Sequence, residues 1–184
     1  MAAGQPLLFL QKFITNPKEI GSIIPSSRFL SQKMVQSVPW QDIRTVAELG
    51  SGTGAVTQLI QASSAASTQV FLFEKDRHML GNLAKQYPDY HCHSNACQLL
   101  NVIERSGVSQ LDCIISGLPF FNFHPELRDE LIHQIMQSLK PGGYFVAFQY
   151  SLQMKKQFSH VFEIEQIHFV PFNFPPAFVY VCRK

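Results

Sequence analysis

The sequence predicts an α/β fold, in which a mostly parallel sheet carries helices on both faces. Three observations support this prediction. From about residue 43 onward, short apolar segments alternate with longer segments whose apolar residues recur at helical spacing. A glycine-rich turn, Gly50-Ser51-Gly52-Thr53-Gly54, directly follows the first apolar segment. The length of 184 residues, with 46% hydrophobic and 15% charged residues, suits one domain with a full core.

The first 42 residues predict a helical lid that precedes the sheet. Residues 5–15 place large apolar side chains on most of a helix circumference, and such a helix needs a second apolar surface. It either packs across the sheet or lies partly in a membrane interface. Ser26 and Ser27 are good N-caps for a second helix. We therefore expect residues 1–42 to form a lid or membrane-contacting segment, and residues 43–184 to form the main domain.

The apolar pattern of residues 43–184 predicts seven strands and four helices in the main domain. The expected strands are residues 44–49, 69–74, 90–93, 111–116, 143–149, 162–170 and 177–182. The expected helices are residues 54–62, 76–86, 97–106 and 125–139, the last of them ended by Pro141-Gly142-Gly143. After residue 151 we expect a tail poor in helix. Right-handed crossovers bring the carboxyl ends of parallel strands to one edge of the sheet, and ligands bind at that edge.

Composition and charge argue against several kinds of partner and site. A net charge of +2 without a local basic patch argues against a nucleic-acid partner. The four cysteines form no Cys-x-x-Cys pair and predict reduced thiols of a cytoplasmic protein. In a strand, the cluster His91-Cys92-His93 would send its thiol and its imidazoles to opposite faces, so we expect no metal site. The start of the chain predicts neither a signal peptide nor a membrane span.

The glycine-rich turn and two acidic residues predict a nucleotide-like cofactor. Glycines at these positions allow backbone conformations that side chains forbid and allow close approach of a ligand. The helix that follows points its N-terminal amides at the same place. Glu74, next to Lys75, ends the second predicted strand, where a ribose diol needs a hydrogen-bond acceptor.

The spacing of the turn favours S-adenosylmethionine over a dinucleotide. The pattern is Gly-x-Gly-x-Gly and not Gly-x-Gly-x-x-Gly, and Glu48 stands two residues before the first glycine. S-adenosylmethionine has no pyrophosphate for a helix N-terminus to bind. Its sulfonium and ammonium groups instead favour a nearby carboxylate such as that of Glu48. We therefore predict S-adenosylmethionine as the cofactor.

With these motifs and the closing hairpin, residues 43–184 resemble class I S-adenosylmethionine-dependent methyltransferases. The resemblance implies a Rossmann-like, seven-stranded sheet whose antiparallel last strand is inserted beside the sixth. It also implies that Glu48 and the turn (Gly50, Ser51, Gly52 and Gly54) hold the methionine moiety, and that Glu74 binds the ribose hydroxyls. Asn95-Ala96 fall where this family usually has an acidic residue that contacts the adenine amine. The Asn95 carbonyl can accept the same hydrogen bond without a charge.

Two further segments resemble bacterial phospholipid N-methyltransferases, which convert phosphatidylethanolamine toward phosphatidylcholine. One is the string Gly21-Ser22-Ile23-Ile24-Pro25-Ser26-Ser27, and the other is Ser116-Gly117-Leu118-Pro119 after the fourth strand. The resemblance implies that the first string closes over the cofactor, with Ser22, Ser26 and Ser27 in contact with it. Ser116 is a further candidate contact. Helix capping and turn formation are the alternative roles of these serines.

Ser116-Gly117-Leu118-Pro119-Phe120 is also similar to the Asn-Leu-Pro-Tyr/Phe motif of ribosomal RNA adenine N6-dimethyltransferases. In those enzymes an asparagine amide and a backbone carbonyl hold the target amine, and the aromatic ring stacks on the flipped base. Here Gly117 occupies the asparagine position, although the Leu118 carbonyl remains. This departure favours a lipid amine. An adenine N6-methyltransferase on RNA or DNA stays the alternative, as do a small-molecule methyltransferase and a cofactor-binding protein without catalysis.

Phenylalanines cluster in two loops that we expect at the ligand-binding edge: Phe120, Phe121 and Phe123 in one, and Phe172, Phe174 and Phe178 in the other. Such a rim suits a bilayer and acyl chains, although each ring can instead fill the core. We therefore predict a peripheral membrane enzyme that methylates the headgroup amine of phosphatidylethanolamine and needs no metal. The candidate catalytic groups are Leu118, through its carbonyl, and Phe120 and Tyr150, whose ring faces suit a methylated ammonium. Tyr150 and His124 are candidate proton acceptors.

Overall fold

A seven-stranded sheet organises the part of the chain that the computed structural model describes, residues 27–184. The strands are β1 (Thr45–Leu49), β2 (Gln69–Phe73), β3 (His91–His93), β4 (Leu111–Ser116), β5 (Leu139–Gln149), β6 (Glu163–Val170) and β7 (Ala177–Arg183). The α-helices in this range are α1 (Arg28–Gln36), α2 (Ala55–Ser63), α3 (Arg77–Gln86), α4 (Leu99–Arg105), α5 (Pro125–Ser138) and α6 (Lys155–Ser159). The predicted helix at 5–15, Ser22 and Ser26 lie outside the described residues.

The strand order is β3-β2-β1-β4-β5-β7-β6. Neighbouring strands from β3 to β5 are parallel, whereas β7 lies antiparallel between β5 and β6. The predicted α/β class, the mostly parallel sheet and the inserted antiparallel last strand are therefore confirmed. Leu49, Phe73, His93, Ser116 and Gln149 end the five parallel strands on one side of the sheet. We call this side, which also receives the end of β6, the carboxyl edge.

Side chains alternate along each strand between two cores, one on each face. Ala47 and Leu49 of β1 enter one core, under α4 and α5, and Val46 enters the other, under α1, α2 and α3. The central strands are buried on both faces and therefore read as nearly continuous apolar runs. This packing leaves the loops at the carboxyl edge free to form a site.

Helix α1 joins the second core, although it falls within the predicted lid. Leu30, Met34 and Val35 are buried against the sheet. Ser27 begins the helix, because its Oγ accepts the Leu30 amide at 3.3 Å. The Ser27 amide donates to Asn173 Oδ1 at 3.0 Å, which ties the start of α1 to the β6–β7 loop. A boundary at residue 43 stays a prediction.

Two elements differ from the prediction. Strand β5 begins at Leu139 and continues through Pro141-Gly142-Gly143, where the helix was expected to run on to residue 139 and then stop. Leu139 pairs with Leu111, and Gly142 donates to the Lys184 carbonyl at 2.8 Å, so long-range pairing extends the strand across its glycines. Helix α6 was not predicted. It places Phe158 fully in the core, and its five residues are too few for a periodic pattern.

Candidate active site

The glycine turn is attached to the end of β2. The amides of Gly50 and Ser51 both donate to the Phe73 carbonyl, at 2.8 and 3.1 Å. Gly50, Gly52 and Gly54 all have positive φ angles, of 78°, 54° and 87°. These left-handed conformations are strained for any residue with a Cβ, which explains the alternate-glycine spacing. The turn therefore holds a fixed shape in front of the carboxyl ends of β1 and β2.

Open space and an unpartnered polar group at this turn fit a ligand. A Cβ added at Gly52 would meet no atom within 4 Å. The buried Ser51 hydroxyl lies near the Glu48 carboxyl, whose pKa it lowers, but it has no partner in full hydrogen-bond geometry among the described residues. On the other side of the turn, Leu118 rests on Gly50, where an added Cβ would lie 3.0 Å from Leu118 Cδ2. This arrangement suits the methionine part of S-adenosylmethionine, which requires close approach to backbone.

Glu74 holds the turn through its carboxylate. Its Oε2 accepts the Gly52 amide at 2.8 Å, and its Oε1 accepts the Asp76 amide at 2.8 Å. Each carboxylate oxygen keeps further acceptor capacity. The half-buried side chain stands at the end of β2, where the ribose was expected. Glu74 can thus bind a diol while it fixes the glycine turn.

Glu48 is buried at the end of β1, with 2% of its surface exposed. The pKa of its carboxyl is raised from 4.5 to about 8, chiefly by burial. The Thr57 hydrogen bond and, more weakly, the Ser51 hydroxyl act to lower this pKa, and the nearby charge of Glu74 acts to raise it. Thr57 Oγ1 donates to Glu48 Oε2 at 2.6 Å. A buried carboxyl with such a pKa gains most from a cation beside it. The sulfonium and ammonium of the predicted cofactor are cations of that kind.

The segment after β4 is folded onto the turn. Gly117 donates to the Leu49 carbonyl at 2.8 Å, and the buried Ser116 Oγ accepts the Leu118 amide at 3.2 Å. The Leu118 carbonyl accepts two donors, the Phe120 amide at 3.0 Å and Gln149 Nε2 at 2.9 Å. Two donors saturate a carbonyl oxygen. The expectation that this carbonyl is free to hold the target amine therefore needs correction.

Gln149 is the polar residue that the sequence analysis missed. It ends β5, and only 5% of its surface is exposed. Its residue type could have identified it in the sequence, because this glutamine directly follows an apolar strand segment, Tyr144 to Phe148. A polar residue at the carboxyl end of a parallel strand is a candidate for ligand contact.

Phe120 is a core residue, which corrects its expected role as a ring offered to the substrate. Its side chain is fully buried, and its ring packs edge-to-face with Phe145 and Phe158, at centroid distances of 6.1 and 5.5 Å. Tyr150 is half-buried and packs against Phe148. Burial raises the pKa of the Tyr150 hydroxyl to about 12. At neutral pH Tyr150 therefore stays protonated and is a hydrogen-bond donor, not the proton acceptor that we expected.

The remaining candidates occupy peripheral or capping positions. Asn95 is exposed, and its Oδ1 accepts the Cys97 amide at 3.0 Å, which begins a short 3-10 turn containing Ala96. Lys75 is exposed beside Glu74. Ser27 caps α1, which is the alternative role considered for it. Cofactor contact by these four residues stays a prediction.

The predicted histidine-cysteine cluster lies on the outer strand β3. His91 stacks on Phe71 with centroids 4.7 Å apart, and His93 packs on Phe73 at 5.6 Å. Burial raises the pKa of the Cys92 thiol, so the neutral form is favoured. In residues 27–184, no group of three or more His, Cys, Asp or Glu residues is placed to hold a metal ion.

Exposed apolar side chains gather at the carboxyl edge. Within the described range, the large apolar side chains that are exposed are Phe29, Phe121, Leu127, Leu152, Phe169, Phe172 and Phe174. All of them lie in loops or element ends on that side of the sheet. Phe172, the most exposed at 74%, packs against Phe29 of α1 with ring centroids 5.5 Å apart. Of the predicted rim, Phe121, Phe172 and Phe174 are exposed, Phe123 and Phe178 are half-buried, and Phe120 is buried.

A separate cavity of about 480 Å³ lies away from this edge. It opens between the carboxyl-terminal half of α1 and strands β5, β6 and β7, and it is lined by Lys33, Tyr144, Glu165 and His168 among others. It contains none of the predicted cofactor residues. The glycine turn, Glu48, Glu74 and the segment after β4 therefore remain the candidate active site.

Comparisons with known proteins identify the family of this chain. The family model for the methyltransferase small domain matches residues 22–169. An ornithine lipid N-methyltransferase from Singulisphaera acidiphila is 32% identical over 182 residues, which cover 96% of this chain and 94% of that protein.

Solved methyltransferase structures share the fold at low sequence identity. The N-methyltransferase NodS from Bradyrhizobium japonicum, solved with S-adenosyl-L-homocysteine, aligns over 97% of this chain and 98% of its own, with a TM-score of 0.67 and 11% identity. The 1,6-didemethyltoxoflavin-N1-methyltransferase from Burkholderia thailandensis aligns over 100% of this chain and 88% of its own, with a TM-score of 0.69 and 13% identity. Together with the glycine turn and its two glutamates, these matches show that the chain belongs to the methyltransferase small-domain family and is a class I S-adenosylmethionine-dependent methyltransferase.

Proposed function

We propose that this enzyme transfers a methyl group from S-adenosylmethionine to the headgroup amine of a lipid. The observation that carries the proposal is the 32% identity, over nearly the whole of both chains, to an ornithine lipid N-methyltransferase. Phosphatidylethanolamine is the acceptor that the sequence resemblance implies. It shares with an ornithine lipid a primary amine on an amphiphile, so the same site chemistry serves either acceptor.

The reaction depends more on the alignment of the amine with the methyl group than on reactive side chains. S-adenosylmethionine supplies an electrophilic methyl group on its sulfonium. The protein has to hold the amine in line with that methyl group and to exclude water from both. Leu118 packs on Gly50 of the cofactor turn, and the buried Gln149 is bonded to Leu118. These residues favour a neutral, desolvated amine as the nucleophile.

We further propose that the carboxyl edge rests on the cytoplasmic surface of a bilayer as a peripheral contact. Burying one phenylalanine fully is worth about 1.5–3 kcal/mol. The exposed Arg28 and Lys155, near the same edge, would each add about 1 kcal/mol beside anionic headgroups. A few such contacts are enough for reversible attachment. Among the helices of residues 27–184, none has both the length and the apolar character of a membrane span.

Labelled S-adenosylmethionine tests the proposed acceptor directly. The purified protein is incubated separately with liposomes containing phosphatidylethanolamine, liposomes containing an ornithine lipid, and structured RNA. We expect label in lipid, and the two liposome arms identify the headgroup. Label that enters RNA and neither lipid would overturn the proposal in favour of an adenine methyltransferase.

Removing exposed phenylalanines should weaken attachment to liposomes. We expect the double variant Phe121→Ser and Phe172→Ser to lose at least tenfold in affinity for anionic liposomes in a flotation assay, because two rings leave the contact surface. Val161→Ser is the control, since it removes an apolar side chain from the turn before β6, at the opposite edge. Affinity for S-adenosylmethionine should not change in either protein. Equal liposome binding by the double variant and the control would exclude this edge as the contact.

A further inference from the structure

We propose that Gln149 binds the acceptor amine, with its Oε1 accepting an N–H hydrogen bond from the neutral amine. This inference rests on the proposed function only in that the acceptor is an amine. Three features of the described residues support it: the orientation of the glutamine amide, its bond to a residue that packs on the cofactor turn, and the saturation of the Leu118 carbonyl by two donors.

The orientation of the amide follows from its neighbours. Gln149 Nε2 donates to the Leu118 carbonyl at 2.9 Å and also contacts the Phe148 carbonyl at 2.5 Å. Both neighbours are acceptors, so the amide nitrogen must face them and the amide oxygen must face away. Among residues 27–184, no donor reaches Gln149 Oε1. The glutamine thus presents one acceptor whose direction is fixed by two bonds on its other side.

A single residue, Leu118, lies between this acceptor and the cofactor turn. Gln149 ends β5, next to the end of β4, and it is bonded to Leu118. Leu118 in turn packs on Gly50. Only 5% of Gln149 is exposed, so protein surrounds most of its amide, and a hydrogen bond there is stronger than one in open water. An acceptor so placed orients an amine that approaches the carboxyl edge.

Gln149 also supplies what the segment after β4 lacks. Gly117 has no side chain, and a Cβ there would lie 3.2 Å from the Gly50 carbonyl, so an asparagine at this position would be crowded. The Leu118 carbonyl already accepts two donors. Gln149 on the neighbouring strand therefore provides an amide beside Leu118, where residue 117 has no side chain to provide one.

Two substitutions test the role of the amide oxygen. Gln149→Leu removes the acceptor, and we expect kcat/KM for the lipid acceptor to fall about 10- to 100-fold, the usual cost of one hydrogen bond to a reacting polar group. Affinity for S-adenosylmethionine, measured by calorimetry, should stay within twofold. Gln153→Leu, in the exposed turn after β5, is the matched control and should keep wild-type kinetics.

A dimethylated lipid acceptor distinguishes substrate contact from a structural role. Its neutral amine has no N–H to donate to Oε1, so we expect Gln149→Leu to slow its methylation much less than that of the primary amine. A residue that only supports Leu118 would slow both reactions alike. Equal losses for the two acceptors, or a Gln149→Leu variant that keeps more than half of the wild-type kcat/KM for the primary amine, would overturn the inference. Failure of the wild-type protein to methylate any aminolipid would instead overturn the proposed function.

Discussion

Glu74→Ala is expected to weaken the binding of S-adenosylmethionine at least about 100-fold, because two hydrogen bonds to a charged group are together worth about 3 kcal/mol or more. The Glu74 carboxylate has two tasks in this site. It stands where the ribose hydroxyls are expected, and it accepts the amides of Gly52 and Asp76, both at 2.8 Å. Alanine removes the diol acceptor and also releases the turn that faces the methionine moiety. Calorimetric titration of the purified protein measures the effect.

Two companion variants separate these tasks. Glu74→Gln keeps one acceptor oxygen and loses the charge, so its affinity should fall between those of the wild-type and alanine proteins. Glu104→Ala removes an exposed glutamate on α4, away from the turn, and should bind the cofactor normally. Cofactor affinity of Glu74→Ala within twofold of wild type would mean that the ribose is bound elsewhere.

Local patterns predicted most of the fold. Strand β1 and the turn after it are recognisable because five residues of strand end at three glycines that need positive φ angles. The alternation of strands with helices then fixes the parallel sheet. The start of β5 could not be predicted in this way, because its first residues are held by Leu111 of β4 and by Lys184 at the end of the chain. Pairing between distant segments leaves no local pattern.

In the candidate active site, too, local patterns predict some features, and contacts between distant segments decide the others. The positions of Glu48 and Glu74 beside the glycine turn could be predicted, because each lies within one residue of the end of a strand, at a fixed spacing from the glycines. Their contacts with the cofactor stay a prediction. The state of the Leu118 carbonyl depends on Gln149, 31 residues further along the chain, and no spacing within the segment after β4 reveals it. Phe120 was misjudged for a related reason. Its loop lies at the carboxyl edge, but its ring enters a pocket made by Phe145 and Phe158 from two later elements.

Cofactor binding is expected to release a proton near neutral pH, and its affinity is expected to rise with pH up to about 8. In the cofactor-free protein, burial raises the pKa of the Glu48 carboxyl from 4.5 to about 8, so Glu48 is mostly protonated at pH 7. A sulfonium or ammonium group nearby favours the carboxylate and lowers this pKa. Below pH 8 the cation must therefore displace the proton, which costs up to tenfold in affinity for each pH unit.

The free energy of unfolding of the cofactor-free protein should fall as the pH rises, whereas its affinity for the cofactor should rise. The pKa of Glu48 is higher in the folded protein than in the unfolded chain, so the unfolded chain ionises first as the pH rises. Glu48 therefore costs no stability below pH 4.5, and the cost grows between pH 4.5 and about 8. At about 1.4 kcal/mol per pH unit, the full cost above this window is on the order of 5 kcal/mol. Chemical denaturation of wild-type and Glu48→Gln proteins across this range measures it.

The Glu48→Gln variant tests whether Glu48 causes both the proton release and the pH dependence of stability. The amide does not ionise in this range, so the variant should release no proton when it binds the cofactor, as measured by calorimetry in buffers of different ionisation enthalpy. Its stability should also vary less with pH, because the penalty of a buried charge is absent. Thr57, whose hydroxyl donates to Glu48 Oε2 at 2.6 Å, can donate equally to the amide oxygen, so the local structure should persist. Proton release of equal size in both proteins would show that another group carries the linkage and that Glu48 does not face the cation.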